Sequence, residues 1–425
     1  MNFISTRNRA IIKTLSTAIE TGLAADGGLF VPETMPIIDK SWFSLELSYP
    51  MFASKLLAHF FNGDALATQL DSFCKRAFNF PIPLQQLDDN LFVLELFHGP
   101  TSSFKDLGAR FLAECLSETA NCQKTILVAT SGDTGSAVAS AFHRKLNYRA
   151  VILYPDKQIS AMQEQQMTCW DENIFAFAVN GNFDQCQQLV KSAFLDPHWQ
   201  EAGGLSSANS INIARLLAQM TYYAYSSMQF FKKFKENSGF IIPSGNLGNA
   251  TAAYWAKAMG FPIREIVLAT NANQVLSDYL NNAHYQSQPS IRTLANAMDV
   301  GNPSNLERLN HLFDSFELFK KNVSAISVND DAIRETIQEI YNHYHYISCP
   351  HTATAFHVQT KLANKPWIVV ATADPFKFHE LIEPLLTIKI PISPQLKSLI
   401  KSPSIIRRVN ANLDDIKKLF SLEQN

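Results

Sequence analysis

The chain passes from a predicted strand into a predicted helix at His98-Gly99-Pro100-Thr101-Ser102-Ser103-Phe104-Lys105-Asp106-Leu107-Gly108-Ala109-Arg110-Phe111. The apolar run 91–97 predicts the strand, and the Gly-Pro pair ends it. Ser102 and Ser103 are residue types that favour a helix N-cap, and the apolar spacing over 104–116 predicts the helix. Lys105 is therefore expected in the first turn of this helix.

A lysine in the first turn of a helix is chemically informative. The helix N-terminus carries partial positive charge, and this charge and burial both favour the neutral amine. A neutral lysine amine is a nucleophile that forms Schiff bases with carbonyl compounds. Taken alone, the segment also fits a solvated surface lysine, so the remaining segments have to decide between the two interpretations of Lys105.

The composition places limits on the protein class. The chain has 425 residues, of which 46% are hydrophobic and 17% charged, so it is long enough for two or three globular domains. The formal net charge is -2, from 36 basic and 38 acidic residues. Because there is no basic field, nucleic acid is not an expected partner.

The cysteines and the apolar runs indicate a cytoplasmic protein. The 6 cysteines form no CxxC pair, which favours reduced thiols in the cytosol. The N-terminus lacks the uninterrupted apolar segment of a signal peptide. There is no run of about 18 apolar residues, so no membrane partner is expected.

The order of the predicted elements indicates an α/β protein. Residues 1–80 form a small, mostly helical N-terminal domain, with helices expected over 8–22 and 41–80 and an extended segment after the turn at 26–32. Residues 81–425 alternate strands with helices, which predicts open parallel twisted sheets with helices on both faces. Strands are expected at 125–130, 150–154, 175–179, 240–243, 265–270 and 367–372.

Two glycine-containing loops each join a predicted strand to a predicted helix. They are Ser244–Asn249 and Thr130–Ser136. Glycine lets a ligand approach the backbone, and the following helix offers free N–H groups, so an anion is favoured there. Neither loop has the Lys-Ser/Thr pair of a P-loop, and an ordinary connection is the simpler alternative for each alone. Ligands bind at the carboxyl ends of parallel strands, where both loops would lie.

Other polar residues have structural explanations. Ser210 and Asn212 open a predicted helix and are good caps. Thr372 ends a predicted strand, where its hydroxyl could donate a hydrogen bond. Four histidines between residues 343 and 357 lack HExxH spacing, so no metal site is expected. No Gly-x-Ser-x-Gly elbow is present, which argues against a serine hydrolase.

An ordered series of segments resembles the threonine synthase family, which has the tryptophan-synthase-β-like fold (type II) of pyridoxal-phosphate enzymes. The series spans nearly the whole chain and consists of 26–32, 94–106, 129–135, 209–212, 243–246, 296–300, 350–351 and 371–373. The resemblance implies a family-type N-terminal domain at 1–80 and a catalytic region at 81–425. It also implies a small subdomain inserted at approximately 120–215.

The resemblance assigns roles to individual residues. Lys105 matches the lysine that forms the Schiff base with pyridoxal 5'-phosphate. Thr372 matches the residue that bonds the pyridine nitrogen, and Asp133 flanks the ring. The cofactor phosphate is expected on Gly245, Asn246, Leu247, Gly248 and Asn249. The implied substrate ligands are Thr130, Ser131, Gly132, Thr134, Ser210 and Asn212.

The chain departs from the family pattern in two places. Leu247 stands where the family usually has Phe, although main-chain N–H groups do the binding there. The family pattern Tyr-Pro-x-Gly-Lys/Arg is replaced by a run ending in Asp156-Lys157-Gln158, which displaces the basic residue. Candidates for binding the substrate phosphate are therefore Lys157, Arg110, Arg308 and Lys377.

The implied reaction is the last step of threonine biosynthesis. O-phospho-L-homoserine and water would give L-threonine and phosphate by β,γ-replacement in a cytoplasmic lyase, a monomer or homodimer. Alternatives are a phospholyase that releases 2-oxobutyrate, a serine/threonine dehydratase, a non-catalytic binding protein of the same fold, and a kinase-like protein. The intact Lys105 and both loops argue against the non-catalytic alternative.

Overall fold

The N-terminal region combines helices with a small antiparallel sheet. In this computed structural model, residues 1–119, 123–194, 196–197, 199 and 204–422 are described. The sheet has the order β2-β1-β3, from β1 (Phe3–Ser5), β2 (Ile12–Lys13) and β3 (Phe30–Pro32). The helices are α1 (Leu15–Thr21), α2 (Tyr49–Phe61) and α3 (Leu70–Ala77), with 3-10 turns at Lys40–Ser44 and Ala67–Gln69.

The predicted helix over 8–22 is wrong in its first half. Ile12 pairs with Ile4 of β1, and the helix begins only at Leu15. The Thr14 side chain accepts a hydrogen bond from the N–H of Thr17 and thereby caps the helix. The apolar residues at Ile11 and Ile12 mimicked helical spacing because a short strand directly precedes a helix.

The remaining elements follow in alternating order. The strands are β4 (Leu84–Asp88), β5 (Leu91–Glu95), β6 (Lys124–Ala129), β7 (Tyr148–Pro155), β8 (Ile174–Asn180), β9 (Leu205–Ser206), β10 (Ser238–Pro243), β11 (Ile263–Thr270), β12 (Ser324–Ser327), β13 (Trp367–Ala371) and β14 (Arg407–Asn410). The helices are α4 (Lys105–Thr119), α5 (Asp133–Phe142), α6 (Ala161–Thr168), α7 (Phe183–Phe194), α8 (Ile213–Phe234), α9 (Gly248–Ala258), α10 (Val275–Asn282), α11 (Leu306–Phe313), α12 (Phe316–Asn322), α13 (Asp330–Tyr344), α14 (Pro350–Thr360), α15 (His379–Leu386), α16 (Pro394–Ile400) and α17 (Leu413–Leu422). Further 3-10 turns lie at Asn296–Met298 and Pro375–Phe378.

The first large sheet has the order β12-β11-β10-β13-β5-β4 and is parallel except for β4, which runs antiparallel to β5. Alternate residues of its central strands enter two different cores. Phe240 and Ile242 pack into the core that contains α4, α8 and α9. Ile241 packs into the core that contains α13 and α14. A strand buried on both faces needs apolar residues throughout, which explains the continuous run at Phe240–Ile242.

The second large sheet has the order β14-β8-β7-β6-β9 and is parallel throughout. Its edge strand β14 comes from the C-terminal part of the chain. Arg407 and Val409 pair with Phe177 and Val179 of β8. The subdomain expected at approximately 120–215 omits this strand, because a four-residue polar segment carries no strand signal. The predicted α/β class with parallel sheets is confirmed.

The predictions about membrane spans and cysteines can be compared with the described residues. No helix in the described ranges has the length and apolar character needed to cross a membrane. The described cysteines, Cys74, Cys115, Cys169, Cys186 and Cys349, are free thiols. Cys122 lies outside the described residues.

Candidate active site

The start of α4 is fixed by the end of strand β13. The N–H of Phe104 donates to the carbonyl of Thr372 (2.9 Å), and the N–H of Asp374 donates to the carbonyl of Ser102 (3.0 Å). Ser102 adopts a left-handed conformation with φ 55°. These contacts place Lys105 beside Thr372, at the carboxyl ends of β5 and β13.

The predicted cap of this helix is wrong in one respect. The buried Oγ of Ser103 has no hydrogen-bond partner, so Ser103 does not cap α4 through its side chain. Thr101 instead contacts the first helical turn, with its N–H (2.9 Å) and hydroxyl (2.7 Å) donating to the Asp106 carboxylate. The chain turns back over its own helix start, which local sequence preferences do not reveal.

Lys105 is a buried amine with a perturbed pKa. Burial is the main cause that lowers the pKa of Lys105 to about 8, and the positive charge of Arg215 lowers it further. The negative charge of Asp133 acts in the opposite direction, and the positive charge of Lys377 adds a smaller lowering. Arg215 is close because Gly108, one turn along α4, has no side chain. A Cβ at Gly108 would lie 3.2 Å from Arg215 Nε. The amine is therefore partly neutral near physiological pH.

The loop at Ser244–Asn249 approaches the cavity between β10 and α9. Leu247 has φ 60° and turns the chain into the helix. Gly245 is required by close packing, because a Cβ there would lie 2.8 Å from the Cα of Met298. The first N–H groups of a helix have no partner within the helix, so the start of α9 favours an anion.

Asn249 supplies an unused donor at the same place. Its Oδ1 accepts hydrogen bonds from the hydroxyls of Tyr222 and Tyr223 (2.7 Å for the latter). These bonds fix the orientation of the amide, and its buried Nδ2 is left without a partner. An unpaired buried donor is costly unless a ligand accepts from it, so this side chain fits a bound phosphate.

The second loop, Thr130–Thr134, uses more of its polar groups internally. The Thr130 hydroxyl accepts from the N–H groups of Gly132 (3.0 Å) and Gly135 (2.9 Å). Gly132 has φ 135°, and a Cβ there would lie 2.5 Å from the Gln163 side chain. Asp133 pairs with the buried Lys377, 2.7 Å between Oδ1 and Nζ. Burial alone would raise the pKa of Asp133, but this cation brings it below the usual range.

His351 is a neutral imidazole in the cavity wall. Burial lowers its pKa to about 4. Its Nε2 accepts a hydrogen bond from the N–H of Ala297 (3.1 Å), so the ring also anchors the 3-10 turn Asn296–Met298. That nitrogen is occupied by the backbone, which leaves His351 a wall residue in this geometry.

The structure brings many of the predicted residues to one cavity. The predicted residues in its lining are Lys105, Asp133, Ser210, Gly245, Asn246, Leu247, Gly248, Asn249 and Thr372. Thr130, Ser131, Gly132 and Thr134 lie outside this lining, in the adjacent loop. Asn212 also lies outside it: its Oδ1 accepts from the Ala214 N–H (3.1 Å) and its Nδ2 donates to the Ile19 carbonyl (2.9 Å). The roles assigned to these residues stay predictions.

The four candidate cations for the substrate phosphate occupy different environments. Arg308 is fully buried and donates to the carbonyls of Phe30 (3.1 Å) and Ser210 (3.2 Å), joining the N-terminal region to the site. Arg110 donates to the carbonyl of Ala77 (3.0 Å) at the end of α3. Lys157 is exposed in a turn with φ 60°. Lys377 contacts a charged residue of the cavity lining, Asp133, whereas Arg308 reaches the lining only through the backbone carbonyl of Ser210.

Sequence reasoning missed several residues of the cavity wall: Phe104, Gln219, Pro243, Ser244, Ala297, Met298 and His351. Most of these lie inside the segments that resemble the family, which gave them no role. Gln219 had no signal, because it lies in the interior of the long helix α8. Its position one turn after Arg215 places it at the site only through the packing of that helix.

Comparisons with known proteins agree with this geometry. Residues 77–372 match the family described as "Pyridoxal-phosphate dependent enzyme", and residues 2–78 match "Threonine synthase N terminus". A threonine synthase of Haemophilus influenzae is 40% identical over 400 residues, which cover 93% of this chain and 94% of that protein.

Two solved structures have the same fold over their full length. The crystal structure of threonine synthase from Escherichia coli has a TM-score of 0.93 at 34% identity, and covers 100% of both chains. The structure of threonine synthase from Brucella melitensis with pyridoxal phosphate bound has a TM-score of 0.91 at 31% identity, and covers 99% of this chain and 98% of that one.

Proposed function

The chain belongs to the threonine synthase family of pyridoxal-phosphate enzymes, and we propose that Lys105 and the loop Ser244–Asn249 carry out that family's reaction in this protein. The reaction converts O-phospho-L-homoserine and water to L-threonine and phosphate. The observation that carries the proposal is one cavity that holds a buried amine of lowered pKa together with unpaired donors for an anion.

The residues present fit pyridoxal phosphate. The free N–H groups at the start of α9 and Asn249 Nδ2 are suited to its phosphate, and Lys105 is suited to its aldehyde. The Thr372 hydroxyl is suited to its ring nitrogen, and an alcohol there leaves this nitrogen largely unprotonated. When bound, the cofactor serves as an electron sink for carbanions formed on the substrate.

Lys105 then supplies the proton transfers. Its Nζ, neutral in a large fraction of molecules near pH 8, accepts a proton from the carbon that bears the substrate amino group. The protonated amine returns protons to the substrate during loss of the phosphate and addition of water. Burial in the cavity keeps the pKa of Lys105 near the working pH, which suits both directions of transfer.

The substrate carboxylate is assigned to a different loop from the cofactor phosphate. The substrate carboxylate binds at the Thr130–Thr134 loop, where α5 begins and helix N–H groups face a ligand. Ser210 lies in the cavity lining and is held by Asn305, whose Nδ2 donates to the Ser210 hydroxyl (3.2 Å). The two loops therefore orient the substrate across Lys105.

Replacement of Lys105 tests the proposal directly. The Lys105→Ala protein should lose turnover by at least about 10³-fold, because the acid, the base and the nucleophile are one group. Release of phosphate and threonine from O-phospho-L-homoserine is the assay, and borohydride reduction followed by peptide mapping locates the cofactor. Lys389→Ala is the matched control, because Lys389 is exposed and pairs only with Glu383 (2.6 Å) among its described ion pairs.

Two results would contradict the proposal. The first is wild-type turnover in Lys105→Ala, or reductive attachment of the cofactor to another lysine. The second is 2-oxobutyrate and ammonia as the products of the unmodified protein, which would indicate the phospholyase reaction.

We further propose that the enzyme works in the cytoplasm as a monomer or homodimer. The free described cysteines support a reducing compartment. Light scattering of the purified protein gives the oligomeric state, and a mass above that of two 47.6 kDa chains would contradict the proposal.

A further inference from the structure

The ion pair between Lys377 and Asp133 connects the two large sheets. Asp133 begins α5, directly after β6 of the second sheet. Lys377 lies in the 3-10 turn Pro375–Phe378, directly after β13 of the first sheet. The two charged groups are 2.7 Å apart, with 0% of the Lys377 side chain and 5% of the Asp133 side chain exposed. A pair buried this deeply loses its solvation, so each charge depends on the other.

Amide hydrogen bonds extend the connection on the Asp133 side. Gln163 of α6 donates from Nε2 to Asp133 Oδ1 (3.0 Å). Its Oε1 accepts from Asn296 Nδ2 (3.2 Å), which belongs to a 3-10 turn packed on the first sheet. Gln163 therefore bonds to both parts of the molecule, and its conformation depends on their relative position.

The connection reaches Lys105 through Thr101. The carbonyl of Thr101 accepts from Lys377 Nζ (3.1 Å) and from Gln166 Nε2 of α6 (2.9 Å). The N–H and hydroxyl of Thr101 donate to Asp106, the residue after Lys105. One lysine thus holds α5, α6 and the start of α4 in a single arrangement.

We propose that Lys377 is a positioning residue that clamps the second sheet against the helix start carrying Lys105, through its ion pair with Asp133. The inference rests on the proposed function. Lys377 also neutralises Asp133 within the loop that we assign to the substrate carboxylate. An unpaired aspartate there would repel this carboxylate, so loss of the clamp weakens substrate binding more than it slows the proton transfers.

The test uses the full-length protein with four substitutions. Lys377→Met removes the cation, Asp133→Asn removes the anion, and the double variant removes both charges. Lys377→Arg keeps the charge and supplies a second measurement if Lys377→Met folds poorly. Lys389→Met, which breaks the exposed pair with Glu383, is the control.

Two measurements are made on each variant. The first is kcat and KM for O-phospho-L-homoserine, and the second is backbone hydrogen exchange of residues 133–142 and 161–168 without cofactor or substrate. We expect Lys377→Met to raise KM by about tenfold or more with a smaller change in kcat, and to speed exchange in both segments. Lys377→Arg should lie between Lys377→Met and the unmodified protein.

The double variant separates a clamp from a general structural role. Because it leaves no unpaired charge, its KM should lie below that of Lys377→Met. A general folding defect lowers the active fraction without this recovery. Unchanged KM and exchange in Lys377→Met, or strictly additive effects in the double variant, would overturn the inference. If the unmodified protein converts no phosphohomoserine, the proposed function fails, while the exchange measurement still decides on the clamp.

Discussion

The two loops beside Lys105 have the same local plan but are held differently. Ser244–Asn249 follows β10, and residues that follow β11 of the same sheet contact it. Asn305 donates from Nδ2 to the Asn246 carbonyl (3.1 Å), and Met298 packs against Gly245. Thr130–Thr134 follows β6, and its charged residue Asp133 depends on Lys377 from the other sheet.

On the roles proposed for the two loops, this difference separates cofactor binding from substrate binding. A cofactor that stays bound through many turnovers is best served by a loop that does not depend on an ion pair between the two sheets, with donors such as Asn249 Nδ2 left open for it. A substrate that enters and leaves is served by a loop whose position depends on a contact between sheets. The comparison predicts that damage to the first loop lowers cofactor affinity, whereas damage to the second raises KM.

The largest effect in this comparison is expected from Gly245→Ala. The added Cβ would lie 2.8 Å from the Met298 Cα, and backbone atoms cannot move aside as a flexible side chain can. We expect at least about 10²-fold weaker binding of pyridoxal phosphate, as about 2–3 kcal/mol of lost loop geometry implies. Titration of the cofactor absorbance measures it.

Gly63→Ala is the control for Gly245→Ala. Gly63 lies in a turn with φ 76°, and a Cβ added there would have no atom within 4 Å, so Gly63→Ala strains the backbone away from the site. It should lower stability by about 1 kcal/mol without altering cofactor affinity. Equal affinity losses in both variants would remove the argument for a preformed phosphate loop.

A smaller effect, of a different kind, is expected from Gly132→Ala. The position has φ 135°, and the added Cβ would meet the Gln163 side chain at 2.5 Å. We expect KM for phosphohomoserine to rise about tenfold, with cofactor affinity nearly unchanged, because only the second loop is displaced. Steady-state kinetics at saturating cofactor measures it, and a loss of cofactor affinity as large as that in Gly245→Ala would show that the loops are not independent.

The smallest effect is expected from a change of pH, which titrates the Lys105 amine. Burial lowers the pKa of Lys105 to about 8, so the neutral amine grows about tenfold per pH unit below that value and saturates above it. The rate at which pyridoxal phosphate attaches to the cofactor-free protein should follow this curve. Stopped-flow absorbance at constant ionic strength measures it.

The same measurement on Arg215→Met tests how much Arg215 lowers the pKa of Lys105. Removal of the neighbouring cation should raise the pKa of Lys105 and move the inflection to higher pH. The fold should tolerate the change, since Arg215 Nε and Nη2 are buried without partners and Met is similar in length. The substitution does remove the hydrogen bond from Arg215 Nη1 to the Ala208 carbonyl (2.5 Å). Arg334→Met, at an exposed arginine, is the control and should leave the inflection in place. An unshifted inflection in Arg215→Met would exclude Arg215 as a cause of the lowered pKa of Lys105.

Apolar patterns in short segments of the sequence predicted several strands and helices. The strand that became β10 was visible because residues buried on both faces of a sheet must be apolar. The helix that begins at Lys105 was visible from its periodicity, although its N-cap was not, since Thr101 folds back on Asp106. Strand β14 was missed because a polar edge strand of four residues gains its stability from its neighbour β8.

The roles of the site residues came from the ordered family motifs, because a strand–glycine–helix connection by itself does not specify its ligand. Lys105 was predicted in this way as the Schiff-base lysine, and its low pKa has a cause that the helix start alone does not provide. Burial beneath α8, with Arg215 alongside Gly108, brings the pKa of Lys105 to about 8.

The sequence by itself determined the α/β class, the alternation of its main strands and helices and the family, and it predicted the lysine that the family's chemistry uses. Each of these is encoded in residues that are close together in the chain, or in motifs whose order survives without coordinates. Only the tertiary structure decided that Lys377 pairs with Asp133 and that Asn249 keeps a free donor. Such contacts join residues distant in the chain, and their strength comes from exclusion of water, which arises only when the two sheets close around the site.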